Sequence, residues 1–124
     1  MTGVDIKSYR DLRVWQEGMN LAVMCYAVTR DFPKAEMFGL TSQIRRAASS
    51  VSANIAEGHG REQPGSFVQF LRIAQGSLKE VETHLLLAVR VSLITEAPTS
   101  AVLQKCEEIG KMLRALIRAI QEKQ

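Results

Sequence analysis

Two cysteines and three prolines in 124 residues are too few for a disulfide-stapled scaffold or a proline-rich linker. Long apolar runs are missing as well. The longest, Leu21 to Val28, has eight residues, whereas a bilayer-spanning helix takes about 20. Met1 to Leu12 carries Asp5, Lys7, Arg10 and Asp11 and no apolar core, so it does not read as a secretory signal. A soluble, cytoplasmic chain with no membrane partner is the expectation. Catalytic signatures are equally scarce. The chain has no Cys-x-x-Cys, no Gly-x-x-x-x-Gly-Lys and no Gly-x-Ser-x-Gly, so no cofactor and no enzyme activity are expected.

What remains is ordinary globular material, 46% hydrophobic and 23% charged, enough for one domain over residues 1–124. Sixteen Lys and Arg against thirteen Asp and Glu leave +3, a balance that permits nucleic-acid binding without arguing for it.

Apolar residues recur every three or four positions in four segments. The stripes are Leu12, Trp15, Met19, Ala22, Tyr26; then Leu40, Ile44, Ala48, Val51, Ile55; then Phe67, Leu71, Ala74, Leu78, Val81, Leu85, Ala88; then Val102, Cys106, Ile109, Leu113, Leu116, Ile120. Each is one face of an α-helix, and none alternates as a strand does. Punctuation places the helices at about 9–31, 38–57, 65–94 and 99–122. Ser8 caps the first, with Asp11 in its first turn, and Phe32-Pro33 ends it. Gly58 and Gly60 stop the second at Glu57, and Thr95 to Pro98 separates the last two. Short connections make sequential helices antiparallel neighbours, so the fold class is all-α, an up-down-up-down four-helix bundle.

Helix one has a second apolar line, Val14, Leu21, Cys25, Val28 and Phe32, out of register with the first. A helix apolar over most of its circumference buries more than one face. Helix three exceeds helix two by about two turns, so part of it should overhang. Both features point to self-association, unless Met1 to Lys7 or a loop covers the extra stripe. Cys25 and Cys106 lie on apolar stripes and read as buried free thiols.

The polar candidates are few. Di-iron bundles use Glu-x-x-His from two helices, but Glu80 stands four before His84 and no second pair exists. Gln43, Arg46, Ser50, Asn54 and Glu57 form a polar line along helix two, and Arg46 comes roughly level with Glu80. The simpler reading is a network that fixes helix register through an Arg46–Glu80 ion pair. The alternative is a small-molecule or metal site where Asn54, Glu57 and His59 converge, with Glu80 added. Among the cations, Arg45, Arg61 and Arg72 cluster around helices two and three, while Lys111, Arg114 and Arg118 line helix four. Solvated faces explain such residues in a monomer, whereas an oligomer would gather them into one field.

The stretch from Gln43 to Gly58, Gln-Ile-Arg-Arg-Ala-Ala-Ser-Ser-Val-Ser-Ala-Asn-Ile-Ala-Glu-Gly, closely resembles the four-helix-bundle proteins encoded in intervening sequences of bacterial 23S rRNA genes. Tyr9 to Gln16 resembles that family's start, and Leu71 to Glu80 resembles its third-helix signature. The resemblance runs from Ser8 to about Ile120. It implies an antiparallel bundle and a homo-oligomer, with a pentamer favoured, and it carries over no catalytic residue. Related accessory variability determinants of diversity-generating retroelements are basic pentamers that bind reverse transcriptase and nucleic acid; this chain is only mildly basic. The leading expectation is a non-enzymatic, self-associating bundle presenting Arg45, Arg61, Arg72, Lys111, Arg114 and Arg118 to RNA or a ribonucleoprotein. The alternative is an oligomeric interaction scaffold, for example for a reverse transcriptase, without direct RNA binding.

Overall fold

A computed structural model describes residues 6–124. Four helices account for most of them: α1 (Arg13–Thr29), α2 (Leu40–Gly60), α3 (Pro64–Arg90) and α4 (Glu96–Glu122). No strand occurs among the described residues. Thr29, at the end of α1, meets Arg45 near the start of α2, while Trp15, near the start of α1, meets Ser52 farther along α2. Gly58, late in α2, packs on Phe67 and Phe70 early in α3. Val89 and Arg90 of α3 line a depression with Glu96 and Thr99 of α4. Each helix therefore reverses the one before it. α1 and α3 each pack against both α2 and α4, and the diagonal pairs lie farther apart. Leu21, Ile44, Ile55, Leu71, Leu85, Ile109 and Leu113, one or two from each helix, are fully buried along the axis.

The helix ends depart from the sequence expectation for local reasons. Ser8 does form a capping box with Asp11, but it closes a separate 3-10 turn, Tyr9–Asp11. Leu12 is extended, so α1 begins at Arg13 and not near residue 9. α2 does not stop at Glu57. It runs on to Gly60, and Gly58 is a packing residue: a Cβ there would lie 2.7 Å from Phe70 Cβ. The reversal comes at Glu62, left-handed with φ 58, before Pro64 opens α3. α3 ends at Arg90, where Ser92 turns left-handed with φ 64, four residues short of the expected 94. α4 starts at Glu96 with Pro98 inside its first turn, where amides have no intrahelical acceptor and proline is tolerated.

The second apolar line of helix one, not the first, supplies its core face. Val14, Leu21 and Cys25 are buried, while Met19, Val23 and Tyr26 form an exposed ridge. All six exposed residues from Gln16 to Ala27 are uncharged. Met1 to Asp5, part of the segment considered as a cover for this face, lie outside the described residues.

Candidate nucleic-acid interface

The connection from α1 to α2, Arg30 to Gly39, folds against the ends of both helices. Pro33 is extended, a 3-10 turn follows at Lys34–Glu36, and Glu36 Oε1 accepts the Leu40 amide at 3.2 Å to cap α2. Thr29 Oγ1 donates to the Cys25 carbonyl at 2.7 Å and accepts from Arg45 Nε at 2.9 Å. The Arg45 guanidinium lies 4.4 Å over the Tyr26 ring, so hydrogen bond and ring together hold it in place.

Around Arg45 opens a groove of about 580 Å³. Four cations line it, Arg30, Lys34, Arg45 and Arg46, and no Asp or Glu does. None of the four has a salt-bridge partner among the described residues, in contrast to Arg61, Lys79, Lys105 and Lys111. Tyr26, Phe32 and Phe38 contribute aromatic rings to the same groove. Phe38 stands 93% exposed. Unpaired cations beside one open ring, that of Phe38, have the chemistry to hold phosphates and a base.

Within the single chain, the six cations singled out in the sequence lie apart. Arg45 is in the groove. Arg61 lies at the opposite end of the bundle, 2.9 Å from Glu57 and over the Phe70 ring. Arg72 is exposed on α3, and Lys111 reaches Glu107 at 3.7 Å. Arg114 lines a separate groove between α3 and α4, and Arg118 is exposed one turn further on. Sequence reasoning missed Arg30 and Lys34 and gave Arg46 to an ion pair. The available signal was Arg30 and Lys34 flanking Phe32-Pro33, a helix end that returns the chain toward Arg45-Arg46.

The polar line along α2 also divides. Asn54 Nδ2 donates to the Ser50 carbonyl and hydroxyl at 2.8 and 2.9 Å, and the Ser50 and Ser77 hydroxyls bond at 2.9 Å. Asn54, Ser50 and buried Ser77 thus form the α2–α3 polar contact. Glu57 pairs with Arg61 on the surface instead. Gln43, Arg46 and Glu80 line one shallow depression with His84, but no Arg46–Glu80 ion pair forms. His59 packs edge-on against Phe67, with ring centres 5.7 Å apart. No group of three or more His, Cys, Asp or Glu side chains among the described residues could hold a metal. Cys25 and Cys106 are free and buried, and burial pushes each thiol up to about 12.

The chain is an antiparallel four-helix bundle with a cationic groove, lined by no Asp or Glu, at one end. Residues 10–115 match the 23S rRNA-intervening sequence protein family, and the chain belongs to it. Among solved structures, it is similar to the crystal structure of a protein of unknown function from the S23 ribosomal protein family of Bacteroides thetaiotaomicron VPI-5482. The two share 27% identity with a TM-score of 0.74, over 84% of this chain and 97% of that one. No curated protein matches.

Proposed function

We propose that the protein is a non-enzymatic, cytoplasmic bundle that binds RNA, free or in a ribonucleoprotein, through the groove at the α1–α2 end. The observation that carries this reading is the gathering of Arg30, Lys34, Arg45 and Arg46 in a groove without a carboxylate. Four cations without a carboxylate partner raise the positive potential of the groove, and a polyanion supplies phosphates to it without base readout. The family's description, a 23S rRNA-intervening sequence protein, favours RNA as that polyanion. Fluorescence anisotropy with a structured RNA fragment tests it. Binding should weaken steeply from about 50 to about 200 mM salt; salt-insensitive or absent binding refutes it.

Self-association belongs to the same proposal, and five copies is the number that the family resemblance favours. The charge-free outer strip of α1 supports it, with Val23 67% exposed at its centre; depletion of charge is what separates an interface core from other surface. Light scattering should report a multiple of 13.8 kDa that Val23→Lys reduces. The same strip favours the second reading, an oligomeric interaction scaffold or accessory subunit without RNA affinity. A stable assembly that ignores RNA at low salt would select that reading.

A further inference from the structure

Electrostatic attraction alone would not distinguish a duplex from a single strand, yet the groove carries more than charge. Phe38 stands in the α1–α2 connection with 93% of its surface in water, the most exposed large apolar side chain among the described residues. It also lines both the cationic groove and the neighbouring depression of about 450 Å³ that contains Glu80 and His84. Arg46 and Ser42 line both as well, so Phe38, Ser42 and Arg46 form the shared wall. One side of that wall is cationic. The other carries the Glu80 carboxylate, beside Arg46 and His84.

We infer that this end of the bundle takes single-stranded RNA, its phosphates on the cationic side of the wall and an unpaired base stacked on the Phe38 ring. This rests on the RNA-binding reading above and adds the strandedness of the ligand and the residue that selects it. A duplex offers its phosphates to the same cations but keeps its base faces stacked inside, out of reach of a surface ring. An unpaired base has a free π-face, and stacking on an aromatic side chain tolerates any of the four bases. Phe38 therefore discriminates strandedness and not sequence.

The test is anisotropy at low salt with an unstructured RNA of about twelve nucleotides and a duplex of equal length. The wild type, Phe38→Ala and Phe38→Trp are compared, with the mass of each followed by light scattering. The wild type should prefer the single strand. Phe38→Ala should lose roughly tenfold in single-strand affinity with duplex affinity unchanged, and Phe38→Trp should restore the preference. Equal affinity for both probes, or a Phe38→Ala variant that binds the single strand as the wild type does, overturns this inference and leaves the RNA-binding reading standing. Absence of binding to either probe overturns both. A Phe38→Ala variant of altered mass and unaltered affinity shows the ring to be an assembly contact, which also overturns it.

Discussion

Arg45 lies 4.4 Å over the ring of Tyr26, and the contact joins the last turns of α1 to the first turns of α2. With Nε bonded to Thr29 at 2.9 Å, the guanidinium is held while its remaining donors have no carboxylate to meet. This is a preorganised cation, and lysine could not replace it, because an ammonium has neither the planar face nor the Nε donor. Arg45→Lys should lower stability by about 1 kcal/mol in urea denaturation through the lost ring contact and hydrogen bond. It should also weaken RNA binding although the charge is unchanged. Arg118→Lys, at an exposed position, should alter neither.

Two mid-helix glycines should respond to alanine in opposite directions. A Cβ at Gly18 would run into the Ser52 hydroxyl, which itself donates to the Trp15 carbonyl at 3.0 Å. Gly18→Ala should therefore break the α1–α2 contact and cost about 1–3 kcal/mol. A Cβ at Gly76 meets nothing within 4 Å. Gly76→Ala should stabilise by about 0.5–1 kcal/mol through helix propensity. Thermal denaturation of the two variants reads both signs at once.

The inter-helix ion pair of Glu17 and Lys105, 2.7 Å apart, ties α1 to α4. The hydrogen bond that Lys105 donates holds the Glu17 carboxyl below its usual 4.5, and donating it to that carboxylate raises Lys105 above 10.5. A depressed carboxyl adds stability above its unfolded value and loses it as pH falls through the folded one. The acid limb of the stability curve should thus shallow in Glu17→Gln. At neutral pH that variant should be weaker by about 1 kcal/mol, measured by urea denaturation across pH.

Cys25 and Cys106 give the alkaline counterpart. Burial raises each thiol from 9.0 to about 12, so the folded chain keeps protons that the unfolded chain releases. Their contribution to stability should fall as pH rises above about 9, by up to about 1.4 kcal/mol per unit for each thiol. Removing both thiols with Cys25→Ala and Cys106→Ala should flatten that part of the curve. In the folded wild type at about pH 8, neither thiol should react with a disulfide reagent until denaturant is added.

The core was legible because burial in a bundle follows one period. Leu71, Ala74, Leu78, Val81 and Leu85 are read off the sequence and all lie in the core. Helix ends were less legible, because they depend on partners outside the helix. Gly58 resembles a stop signal on paper but is a contact point for Phe70, a residue twelve positions away. The groove was the least legible. Arg30 and Lys34 belong to a connection whose path nothing periodic specifies, and Arg46 was assigned to Glu80 by register alone. Register brings two side chains to one depression, but it does not decide whether they bond.

Phosphate binding by the cations of the α1–α2 groove, as proposed, is read from the slope of log affinity for single-stranded RNA against log salt concentration. It should be measured for the wild type, for the combined Arg30→Ala, Lys34→Ala and Arg46→Ala variant, and for the combined Lys111→Ala, Arg114→Ala and Arg118→Ala variant. Four contacts predict a wild-type slope of about −3, and removing three groove cations should bring it to about −1. The helix-four variant should keep the wild-type slope. An unchanged slope in the groove variant, or a flattened one in the helix-four variant alone, would show that the groove cations do not hold the phosphates.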